Sequence, residues 1–235
     1  MVHRRAVPSR AEIQALRAGA AVRGLRARRD GGRAAGLTDA PILSPLAAAL
    51  SLTARRYAFE RQRPVTGSAF ASFFRRDVAA LARALTDRRP ERLLVRASTG
   101  APGWASIPWL ACFAPHVTRS MRHGLYVVIF IDPVGERIVL SLQHGAADAL
   151  TRHGATEGRR ILRQTAAATR AALAGCGHGF SDAPIVLNST AALPLGYEAG
   201  CALSRVWQAD APDLAGLEDA LSRMLDLYRD LVGGG

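Results

Sequence analysis

The chain has 235 residues, 49% hydrophobic and 21% charged, a balance that describes a globular protein able to bury a sizeable core and excludes a disordered one. Its formal net charge is +12, and every one of the 31 basic residues is Arg, since no Lys occurs. No run approaches the ~18 apolar residues of a membrane span, so no membrane partner is expected.

In chain order, residues 1–40 are rich in Arg, Ala and Gly, with nine Arg against Glu12 and Asp30 up to residue 36. They lack the Ser content of a transit peptide and the apolar core of a secretory signal. The expectation is a flexible basic arm, or a start assigned too far upstream, ahead of one domain over 41–235. From Leu43 a helix is predicted with Leu46, Leu50, Thr53 and Tyr57 on one side, broken by Arg61-Gln-Arg-Pro-Val-Thr-Gly67. Phe70, Phe73, Phe74, Val78, Leu81 and Leu85 recur at helical spacing, which predicts an amphipathic helix over 69–87.

Strands are predicted over Glu91 to Ala97, Ile107 to Phe113, Gly124 to Asp132 and Arg137 to Gln143, the last two joined by a tight turn at Asp132-Pro-Val-Gly135. A helix over 158–174 would turn Ile161, Leu162, Thr165, Ala168, Thr169 and Leu173 inward. Ile185 to Leu187 and Ala202 to Trp207 read as further short strands. A last helix, capped by Asp210 or Asp213 and stopped at Gly233, carries Leu214, Leu217, Leu221, Met224, Leu225, Tyr228 and Leu231 on its apolar face. Helices flanking a run of adjacent strands define an α+β fold, with a mixed or antiparallel central sheet.

Charge follows position. Residues 55–96 hold eleven Arg against four acids, whereas residues 176–235 hold three Arg against eight acids. A basic side suits a phosphate backbone. Three Cys are too few and too scattered for a disulfide framework, so a reducing cytoplasm is the expected compartment. Cys176-Gly-His178 reads as a turn more than as a metal fragment.

The segment Ser98-Thr-Gly-Ala-Pro-Gly-Trp-Ala-Ser-Ile-Pro-Trp-Leu-Ala-Cys-Phe113 stands apart. Gly100 and Gly103 permit backbone shapes denied to other residues, while Pro102 and Pro108 stiffen the chain and withhold donors. Such a loop either packs its rings under another element or presents one to a flat ligand. Together with Gly124-Leu-Tyr-Val-Val-Ile-Phe130, Val139-Leu-Ser-Leu-Gln143, Tyr197-Glu-Ala-Gly200 and Asp219-Ala-Leu-Ser-Arg-Met-Leu-Asp-Leu-Tyr228, it resembles the N-terminal DNA-binding domain of McrB-type, modified-cytosine-specific restriction systems. The resemblance covers about residues 70–232.

That resemblance implies a reader of double-stranded DNA carrying a modified cytosine, in a bacterial type IV restriction or phage-defence system. It implies base flipping into a pocket walled by Trp109, Tyr126 and Phe130, with Trp104 and Ala101 on the loop. Ser98, Gly100, Gly103 and Pro108 would shape that loop. Arg96, Arg119 and Arg122, which bracket it in sequence, are the phosphate candidates. The family loop carries a bulky or charged residue where this chain has Ala101, which points to a wider pocket and a bulkier modified base, or to recognition weakened toward the backbone.

No P-loop is possible without Lys, nor a nuclease core that depends on one, so the chain is expected not to be an enzyme. A separate ATPase or nuclease subunit would supply those activities. No cofactor and no metal are expected. A protein-interaction scaffold, or an RNA-binding protein using the same basic face, remains open beside this reading.

Overall fold

The computed structural model describes residues 42–176 and 179–233. The basic arm over 1–40 and the Gly177-His178 part of the Cys176 turn lie outside the described residues.

Helix α1 (Pro45–Glu60) starts where Ser44 accepts the Ala47 N–H at 3.2 Å, with Pro45 in its first turn. A second helical run joins α2 (Ala69–Ser72), a π-helical turn (Phe73–Val78) and α3 (Ala79–Thr86), capped by Ser68. The sheet consists of β1 (Leu94–Ser98), β2 (Trp109–Phe113), β3 (Leu125–Asp132), β4 (Arg137–His144) and β5 (Cys201–Gln208), paired in sequence order with every neighbour antiparallel. Between β4 and β5 come α4 (Ala147–Ala172) and α5 (Ala192–Gly200), and α6 (Leu217–Val232) closes the chain. This is the α+β class the sequence predicts, with the sheet purely antiparallel.

Both faces of the sheet are covered, so the central strands are nearly continuous apolar runs. In β3, Val127, Ile129 and Ile131 point into a core with Leu46, Leu50, Phe74, Val78 and Met224 from the flanking helices. The alternate residues Tyr126, Val128 and Phe130 enter a second core with Leu162, Ile185, Leu187 and Tyr197. A strand's period of two assigns each residue its face. No helix among the described residues is long and apolar enough to cross a membrane.

Several sequence expectations shift. β1 begins at Leu94, because Arg92 takes a left-handed φ of 48° that interrupts extended backbone. β2 begins at Trp109, with the Pro108 carbonyl accepting the Ile131 N–H at 2.9 Å. α4 starts eleven residues before the predicted helix and bends at Gly154 (φ 73°). Its two limbs close on each other where a Cβ on Gly158 would lie 2.8 Å from the Ala149 carbonyl oxygen.

Leu162, Ala166 and Leu173 are buried there, while Thr165 and Ala168 are exposed, contrary to the predicted inward face. Residues 185–187 form no strand; Ile185 and Leu187 plug the second core from a loop. The Pro194- and Gly196-containing segment that reads as loop is α5. Neither Asp210 nor Asp213 caps α6, whose N-cap is Gly216. Asp213 lies in the preceding 3₁₀ turn (Pro212–Gly216), 3.8 Å from Arg205.

Tyr228 ties α6 to the sheet: its hydroxyl accepts the Ala114 N–H (3.0 Å) and donates to the Leu125 carbonyl (2.9 Å). Tyr228→Phe strands a buried N–H and should cost about 1–3 kcal/mol, read as a lower urea midpoint at constant m-value. An unchanged midpoint would show that the bridge does not stabilise the fold.

Candidate nucleic-acid interface

The loop between β1 and β2 leaves the sheet at Ser98 and re-enters at Trp109, which face each other across the ladder. The Ala105 N–H donates to the Thr99 carbonyl at 2.6 Å, closing the loop at its neck. Gly100 (φ 97°) makes the closure possible: a Cβ there would sit 2.3 Å from both the Ala105 nitrogen and the Gly103 oxygen. Its N–H donates to the Ser98 hydroxyl at 3.0 Å. Ala101, Pro102 and Gly103 form the exposed tip, with the Ala101–Pro102 peptide cis.

The neck is held from below by α1. The Tyr57 hydroxyl shares its proton between the Thr99 and Ala105 carbonyls, at 3.0 and 2.9 Å. Trp104 packs edge-on against the Tyr57 ring at 5.3 Å, and its Nε1–H donates to the Arg63 carbonyl at 2.6 Å. Burial pushes the Tyr57 phenol well above its usual pKa, and the positive charges of Arg61 and Arg75 pull it partly back.

Phe59, one residue before the end of α1, has the Arg56 and Arg63 guanidinium carbons 5.4 and 5.1 Å from its ring centre. Arg61 and Arg63 are exposed, and among the described residues neither forms an ion pair, whereas Arg56 pairs with Glu60 at 3.3 Å. The surface at the end of α1 is thus a ring with surrounding cations.

The sequence-predicted pocket residues separate. Trp109 is half-buried and packs on the second core, paired across the ladder with Ser98 and Phe130. Trp104 sits instead with Tyr57 of α1. Tyr126 and Phe130 do share a face, yet both are fully buried. Phe130 stacks on Tyr197 at 4.8 Å, and Tyr126 packs on Phe113 at 5.2 Å while donating to the Met121 carbonyl at 3.2 Å. Phe130 thus lies across the ladder from Trp109 while Tyr126 lies four residues further along β3 beside Phe113, and neither buried ring offers an open wall for a base.

Of the phosphate candidates, Arg96 lies on β1 two residues before Ser98 and donates to the Arg119 carbonyl at 3.1 Å, so these two come together. Arg119 and Arg122 are in the β2–β3 connection, so the length of β2, about 17 Å at 3.4 Å per residue, separates them from the loop. Arg122 is already paired with Asp148 at 2.8 Å. The residues that sequence reasoning missed are Tyr57, Phe59, Arg61 and Arg63. The available signal was the interleaving of Arg with aromatics in Arg55-Arg-Tyr-Ala-Phe-Glu-Arg-Gln-Arg63.

A shallow cavity of about 240 Å³ lies at the other end of the sheet, lined by His123, His144, Asp148, Arg152 and His153. His144 is bonded to the Thr169 hydroxyl at 2.8 Å, and burial lowers its pKa to about 4, which keeps it neutral. Among the described residues no group of His, Cys, Asp and Glu is placed to hold a metal ion.

The structure is an antiparallel sheet covered on both faces, with a clamped aromatic loop at one end and, in the turn tied to it, two exposed arginines that form no ion pair among the described residues. The chain belongs to the MrcB-like N-terminal domain family, whose model matches residues 53–233. Membership points to DNA binding in a restriction-type system. A comparison with curated proteins found no match.

Gly100→Ala should destabilise the protein by about 2 kcal/mol or more, through left-handed strain and backbone overlap. Gly103→Ala, whose Cβ would meet nothing within 4 Å, should be near neutral. Equal melting temperatures for the two variants would contradict a clamped neck.

Proposed function

We propose that the chain is the DNA-reading module of a restriction-type system, acting in the cytoplasm on duplexes that carry a modified cytosine. The observation that carries this reading is the family's Trp loop tied to a basic turn: the Trp104 Nε1–H donates to the Arg63 carbonyl, and Arg61 and Arg63 of that turn are exposed, with no ion pair among the described residues. Arginines without carboxylate partners can neutralise phosphates, and the loop tip can approach base edges closely because Ala101 and Gly103 are small.

The module reads and does not cut. With no Lys in the sequence, a P-loop or a Lys-dependent nuclease core is ruled out in this chain, so a separate ATPase or nuclease subunit supplies strand movement and cleavage. Base flipping remains the mode of discrimination in this reading, with Trp109 as the ring nearest the surface. Because Tyr126 and Phe130 are covered, the flipped base stacks on Trp109 beside Ser98, and the small Ala101 leaves room for a substituent larger than methyl.

Fluorescence anisotropy should show duplex binding whose log–log salt slope falls by about one unit for each of Arg61→Ala and Arg63→Ala. Across cytosine, 5-methylcytosine, 5-hydroxymethylcytosine and glucosylated cytosine at one site, the modified duplexes should bind about tenfold tighter than the plain one. Absence of duplex binding at low salt would refute the proposal; equal binding to all four would leave a sequence- and modification-blind DNA binder.

A further inference from the structure

Phe59 occupies the last turn of α1, yet its ring is 41% exposed, while Leu46, Leu50, Ala54 and Tyr57 of the same helix are buried. An aromatic ring in water forfeits burial that a polar residue would not have needed. Among the described residues the other exposed large apolar side chains, Ile42, Val134, Val186, Leu193 and Val206, are all aliphatic. Phe59 is the aromatic one, and it stands next to the candidate interface.

Its position is fixed on three sides. The α1 backbone carries it, and Tyr57, two residues earlier and on the opposite side of the helix, anchors that turn to the neck of the Trp loop through the Thr99 and Ala105 carbonyls. Arg56 and Arg63 hold the ring by cation–π contacts at 5.4 and 5.1 Å. Arg63 is itself tied to the loop by the Trp104 Nε1–H bond to its carbonyl. An apolar ring on a rigid helix end with cations around it is the arrangement that enters a base step while the cations take the neighbouring phosphates.

We infer that Phe59 is an intercalating wedge: on docking, the Arg56 and Arg63 guanidinium groups leave its ring, the freed ring inserts into a base-pair step of duplex DNA, and Arg61 and Arg63 neutralise the flanking phosphates. This rests on the DNA-binding reading above and adds to it the residue that opens the stack.

The test uses the full chain, a short uniform duplex, and the same duplex with one abasic site. Wild type should bind the abasic duplex about tenfold tighter, because the unstacking that a wedge must perform is already done. Phe59→Ala should lose that preference and bind the abasic duplex about tenfold more weakly than wild type, with an unchanged salt slope because no charge is removed. Its melting temperature should not move, and Phe59→Trp should restore the preference.

Wild-type affinity and preference in Phe59→Ala would overturn the wedge while leaving the DNA-binding reading intact. So would equal weakening on both duplexes from a wild type that shows no preference, which would mark a groove contact without insertion. Failure of the wild type to bind either duplex would remove the DNA-binding reading and the wedge with it.

Discussion

The candidate interface depends on one buried hydroxyl. Tyr57 reaches out of α1 and gives its proton to two carbonyls, Thr99 and Ala105, that stand on opposite sides of the loop neck. A buried phenol left without acceptors would be costly, and without it the Ala105 carbonyl would lose its donor while the Thr99 carbonyl kept only the Ala105 N–H. Each side therefore enforces the other. The same residue offers its ring edge to Trp104, whose indole N–H takes hold of the Arg63 carbonyl in the α1–α2 connection. Helix end, loop neck and basic turn are thus one unit, and their geometry exists before any ligand arrives. Such preorganisation lowers the entropy that binding must spend on ordering side chains and loop.

The rest of the fold keeps that unit in place. α1 packs along the sheet through Leu46 and Leu50 against the β3 and β4 residues that face it, and the Ser51 hydroxyl donates to the Ala209 carbonyl just beyond β5. The loop itself springs from β1 and β2, held in register through five consecutive pairs. With helices on both faces the sheet has little freedom to twist differently, and the α1–loop contact inherits this rigidity. The acidic C-terminal helix lies apart from the loop, with Asp226 paired to Arg89 at 2.6 Å. The uneven charge of the sequence thus becomes local pairing in one region and, among the described residues, exposed arginines without an ion pair in another.

Much of this was legible from residue spacing. The strands of the β3–β4 hairpin, the Phe70–Leu85 stripe and the face of α6 follow simple periods, because both cores are built from regular elements. α5 was hidden since Pro194, Gly196 and Gly200 mark loops locally; burial of Tyr197 against Phe130 overrides that preference. The first limb of α4 was hidden by the Gly154 bend. At the site, the loop was visible as a cluster of Gly, Pro and Trp, but its partners were not. Trp104 and Trp109 are five residues apart, and no spacing rule says that one packs on α1 and the other on the opposite face. Nor could sequence show that Tyr197 roofs Phe130, or that Arg61 and Arg63 stand closer to the loop than Arg119 and Arg122 do.

Hydrogen–deuterium exchange of the free and duplex-bound protein tests most directly whether a preformed, α1-clamped loop meets DNA. The Ala105 amide should exchange slowly in both states, because its donation to the Thr99 carbonyl exists beforehand. New protection on binding should fall on residues 59–66 and 100–104. A fast-exchanging Ala105 in the free protein, or protection confined to other elements such as α4, would contradict the account.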